Sequence, residues 1–66
     1  MKWKFFMEER VVKKTNKQEI LVVVGIAHYI NDQEFFMCQK ETDFIKSGFN
    51  FTRCQWIAGY DLIKVK

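Results

Sequence analysis

Three side chains in this sequence have types suited to nucleophilic or metal chemistry: His28, Cys38 and Cys54. A thiol beside an imidazole makes a nucleophile, and the two need only be adjacent in space. No local motif places His28 next to either cysteine, and 66 residues leave little room for a substrate cleft. A zinc site asks for three or four Cys, His or carboxylate ligands, commonly paired at close spacing. One histidine and two cysteines without C-x-x-C spacing do not supply it. Asp32, Glu34, Glu41 and Asp43 lack the Asp-x-Asp-x-Asp-Gly order of a calcium loop and read as a solvated rim. Gly25, Gly48 and Gly59 stand apart, so no glycine loop cradles a phosphate. The chain is therefore read as non-enzymatic, with no metal and no cofactor. Both cysteines read as small buried hydrophobes, and His28 as an ordinary imidazole on a strand.

What remains is binding, and charge is the first guide to it. The formal net charge is +3, but it is unevenly spread. Residues 1–18 and 46–66 are basic, and residues 19–45 hold one Lys against five Asp and Glu. If the first and last strands lie side by side, Lys2, Lys4, Lys64 and Lys66 join Arg10 and Arg53 in one patch. Trp3, Phe5 or Tyr60 beside that patch could stack on bases. The plainer reading is a solubilising fringe of lysines on edge strands, and no recognition helix or RNP motif accompanies it.

Aromatic content is the second guide. Seven Phe, two Trp and two Tyr are more than one small core readily encloses. Trp3, Phe5, Phe44 and Phe49 are the candidates for an exposed surface that binds a protein or a second copy of the chain. The competing expectation folds the loop aromatics inward as a lid.

These residues must be positioned by short extended elements. Ile20 to Ile30 holds no formal charge and many β-branched side chains, so it reads as one long central strand, bent or bulged at Gly25. Val22, Val24, Ile26 and Trp56 are the expected core positions. Lys13 to Gln18 reads as a polar hinge before that strand, and Asn31-Asp32 as a tight turn after it. Glu34 to Lys40 is a second strand, which makes residues 20–40 a hairpin. Thr42 to Ser47, closed by Gly48, can form one helical turn. Phe51 to Ile57 alternates like a half-buried strand, Ala58 to Asp61 is a turn, and Leu62 to Lys66 is a short final edge strand guarded by lysines. Residues 1–9 fit an extended segment and a helical stripe equally well, so an α+β alternative stands, with an N-terminal helix on a three- or four-stranded sheet.

The order is a short basic strand (Arg10-Val11-Val12), a long strand kinked at glycine (Val22-Val23-Val24-Gly25-Ile26), and an aromatic strand (Phe35-Phe36-Met37-Cys38-Gln39). A loop, a tryptophan strand (Cys54-Gln55-Trp56) and the tail Tyr60-Asp61-Leu62-Ile63-Lys64-Val65 follow. Over residues 10–66 this resembles the small SH3-like barrels of the Tudor and KOW type, including stand-alone ones of phage and mobile elements. The resemblance implies an all-β antiparallel barrel of about five strands that binds proteins or nucleic acids without catalysis. The chain departs from that pattern where the usual Gly-Asp turn before the first strand is Glu8-Glu9.

The sequence thus predicts one domain over residues 1–66. It is read as an interaction module, of phage or mobile-element type, that docks on a host protein or self-associates. The alternative is a nucleic-acid binder using the basic ends. Glu8, Glu9 and Arg10 interrupt the apolar start too early for a signal peptide, and no run is long enough to span a membrane, so a cytoplasmic location with reduced thiols is expected. On the same ground the glycosylation sequon Asn50-Phe51-Thr52 reads as chance.

Overall fold

The computed structural model describes residues 4–65, with the side chains of Ile26, Ala27, His28 and Ile30 left aside. Five strands form in chain order: β1 (Arg10–Lys13), β2 (Asn16–Ile30), β3 (Gln33–Lys40), β4 (Gln55–Ala58) and β5 (Leu62–Lys64). They make one sheet of order β4-β3-β2-β1-β5, antiparallel at every pairing. One helix, α1 (Glu41–Ser47), follows β3, and 3-10 turns form at Phe51–Arg53 and Gly59–Asp61. The fold is therefore mostly β.

The β2–β3 hairpin forms because Asn31 and Asp32 take left-handed backbone, with φ of 52° and 65°. Side chains that bond locally tolerate that region, and two such residues in succession suit the twist of a tight hairpin. β2 is bulged, since Val23 pairs with Cys38 and Gly25 with the next residue, Met37, leaving Val24 as the extra residue. A second irregularity lies between Ile26 and Tyr29. Bulges sharpen the twist of a strand, which lets β2 bend through the sheet.

The core takes one residue or more from every strand: Val11, Leu21, Val23, Phe36, Cys38, Ile57 and Leu62, joined by Phe5 from the N-terminal segment. Phe5 meets Phe36 edge to face, with ring centroids 5.2 Å apart. Leu21 and Val23, rather than Val22 and Val24, supply the core face of β2. Val22 is buried as expected, while Val24 is half-buried. Ile26 falls outside the described side chains.

Several expectations are corrected. Trp56 stays 47% exposed, because β4 is an edge strand and Ile57, its neighbour, takes the inward position. The expected strand Phe51 to Ile57 begins only at Gln55, since Asn50 caps a 3-10 turn first, its Oδ1 accepting from the Thr52 amide at 3.1 Å. The polar hinge is shorter than Lys13 to Gln18, because β2 resumes at Asn16, paired with Lys13. Residues 4–9 form bends and a turn, not a helix. The Phe6–Glu9 turn carries Glu8 at φ 65°, and the Glu8 amide and Glu9 carbonyl bond to Val23.

Candidate functional site

α1 is set by charge as much as by packing. Glu41 and Asp43 stand in its first turn and Lys46 in its last, which complements the helix dipole. Gly48 ends it at φ 73°, its amide donating to the Phe44 carbonyl at 2.7 Å. None of its residues is fully buried, and Ile45 is 75% exposed. The loop after it is pinned by Gln39, a fully buried side chain. Its Nε2 donates to the Gly48 carbonyl at 3.0 Å, and its Oε1 accepts from the Asn50 amide at 3.1 Å. The loop that holds Phe49 and Phe51 is thus fastened to β3.

This arrangement leaves an apolar face. Met7, Val24, Phe44 and Phe49 line one depression with Glu8. Beside them in the chain, Phe6 and Phe51 are each 67% exposed. Of the aromatics singled out by sequence, Phe44 is half-buried and Phe49 exposed. Phe5 is corrected from a candidate contact to a core residue, because the turn at Phe6–Glu9 directs it onto Phe36. Trp3 lies outside the described residues.

The basic residues of the two ends are brought together only in part. Lys4 and Lys64 line one depression with Lys14, over Phe5, Leu62 and Ile63. Each of Arg10, Arg53 and Lys64 has a carboxylate partner: Glu41 at 2.6 Å, Asp43 at 3.7 Å and Glu9 at 3.1 Å. Lys4 donates to the Gly59 carbonyl at 3.1 Å. Arg53 is paired with Asp43 of α1 and lines neither of the depressions that hold Lys4 or Lys64. Lys2 and Lys66 lie outside the described residues.

A second groove was missed by sequence reasoning. Phe35, Trp56 and Tyr60 line it together with Lys13, Thr15, Gln55 and Asp61. Its members come from β1, β3, β4 and two turns, so no local spacing announces it. Of its aromatics, the sequence singled out Tyr60 alone as a stacking candidate and expected Trp56 in the core.

Neither thiol is poised as a nucleophile. Burial, with the nearby Cys54 thiol adding to it and Lys13 opposing, pushes Cys38 up to about 12. Burial also raises Cys54, whose Sγ donates to the Asn50 carbonyl at 3.2 Å. Both cysteines are free thiols. No helix among the described residues is long and apolar enough to cross a membrane. Comparisons with family models, curated proteins and solved structures found no match.

Proposed function

We propose that this chain is a non-catalytic interaction module on a rolled, SH3-like sheet, and that its apolar face docks a protein, a second copy of the chain included. The observation that carries the reading is the depression lined by Met7, Val24, Phe44 and the exposed Phe49, with Phe6, Ile45 and Phe51, near neighbours of these residues in the chain, exposed as well. A contiguous apolar patch left open on a small domain marks a site of interaction.

The barrel reading is supported by sheet order. β4 and β5 are the two edges of a five-stranded sheet, yet only Gly59–Asp61 separate them in the chain. In a flat sheet those edges stand about 19 Å apart, at four interstrand spacings. A 3-10 connection of this length spans about 8 Å. A curl in the sheet meets that limit, and the core cluster that holds both Ile57 and Leu62 supports it. Glu8 supports the same likeness, adopting the left-handed backbone where the family pattern has glycine.

The test is sedimentation equilibrium over a wide concentration range, paired with Ile45→Ser and Phe51→Ser. The wild type is expected to exceed its 8.0 kDa monomer mass as concentration rises. The serine variants are expected to stay folded and monomeric. An 8.0 kDa species at the highest concentration, with both variants strongly destabilised, overturns the reading, since these side chains would then serve the fold.

A further inference from the structure

The groove beside β4 is independent of the apolar face, and two observations at it point to a ligand. The first is aromatic: Phe35, Trp56 and Tyr60 line one open groove, with Trp56 and Tyr60 47% and 56% exposed. The second is electrostatic. The β1–β2 turn and the strand ends that flank it carry Lys13, Lys14 and Lys17, none with a carboxylate at ion-pair distance among the described residues. Arg10, Lys40, Arg53 and Lys64, by contrast, all have such a partner. The turn is fixed beside the aromatics, since the Lys14 amide donates to the Asp61 carbonyl at 2.8 Å. Lys13 and Thr15 face the aromatic groove, and Lys14 faces the adjoining depression with Lys4 and Lys64. The one carboxylate lining the aromatic groove is that of Asp61.

We infer that this groove and its lysine turn bind single-stranded nucleic acid, the bases stacking on Trp56 and Tyr60 and the phosphates following Lys13 and Lys14. A π-face accepts any base, and a lysine accepts any phosphate, so binding is tolerant of sequence. An acidic peptide satisfies the lysines but brings a ring to the aromatics only where it carries an aromatic or proline residue, whereas every nucleotide brings a planar base. A duplex hides its base faces from the groove. Single strands use both features together.

The test is fluorescence anisotropy with labelled oligothymidylate and oligouridylate of about 12 nucleotides, at about 50 and about 200 mM salt. Binding is expected at the lower salt and should fall steeply at the higher, as condensed counterions cease to drive it. Lys13→Gln combined with Lys14→Gln should reduce the logarithmic salt slope by about 1.4. Tyr60→Ala should weaken binding about fivefold or more with that slope unchanged, and Tyr60→Phe should restore it. Ile45→Ser, on the apolar face, should leave binding intact. Preference for the DNA or the RNA strand identifies the natural ligand, and either supports the site. Failure of both strands to bind at about 50 mM salt overturns it. So does binding that Tyr60→Ala and Trp56→Phe leave unaltered while oligoglutamate competes, for the lysines would then be a polyanion surface only. Circular dichroism of each variant separates lost binding from lost folding.

Discussion

Gln39 is the buried polar side chain of the described core, and its value lies in what it holds. Its amide meets the Gly48 carbonyl and the Asn50 amide, and its Oε1 also lies 3.8 Å from the Cys54 Sγ. Gln39→Met keeps the volume and removes these partners, so a cost of about 1–3 kcal/mol is expected in denaturant unfolding. The loop over residues 48–54 should also become the first site of protease cleavage. Cys38 gives a second residue-level expectation, in pH. Burial raises its folded pKa from 9.0 to about 12. The folded chain therefore holds the thiol proton more tightly than the unfolded chain does. This contribution is complete below pH 9.0 and is lost as pH rises towards about 12. Urea melts at about pH 8 and about pH 10.5 should show a smaller alkaline loss in Cys38→Val than in the wild type. An equal loss in both would assign the alkaline instability to other groups.

At the scale of elements, turns were legible in the sequence and faces were not. Asn31-Asp32 and the helical turn closed by Gly48 are local, each set by the backbone freedom of one or two residues, and the expected irregularity falls at Val24, beside Gly25. The parity of β2 was unreadable because Ile20 to Val24 are apolar at every position, so alternation carries no signal. Both of its faces are in fact covered, one by the core and the other near Val22, whose pairing partner Gln39 ties down the loop. The pairing of the basic residues was illegible for another reason: the ion pairs Arg10–Glu41 and Arg53–Asp43 join residues distant in sequence, and no spacing rule reaches them. Two glycines test the turns. A Cβ at Gly59 would stand 3.0 Å from Phe36, a fully buried ring, so Gly59→Ala should destabilise by displacing the core. Gly48 meets nothing within 4 Å, but its φ of +73° makes Gly48→Ala strained, at about 1 kcal/mol. Gly48→Asn should recover part of that loss, whereas Gly59→Asn should recover none. Thermal melts of the four variants separate steric from conformational cost.

At the scale of the whole molecule, the question is whether the two sheet edges share one core. A domain of 66 residues has a total stability of roughly 3–10 kcal/mol, so one truncated core side chain removes a large part of it. Leu62 is buried although β5 is a three-residue edge strand, and it clusters with Ile57 from the opposite edge. Leu62→Ala and Ile57→Ala should each cost about 2–5 kcal/mol, the price of a core cavity, and each should lower hydrogen-exchange protection throughout β2 and β3. The double variant then discriminates between two shapes. In a rolled sheet the two side chains share one cavity, and their costs should depart from additivity by about 0.5 kcal/mol or more. In an unrolled sheet they stand about 19 Å apart, and the costs should simply add. Because both losses together could exceed the total stability, the cycle is measured with Ile57→Val and Leu62→Val as milder partners, in a stabilising osmolyte where needed. Additive costs confined to local fraying at β5 would mean that the edges do not meet and that the three residues between β4 and β5 do not close the sheet.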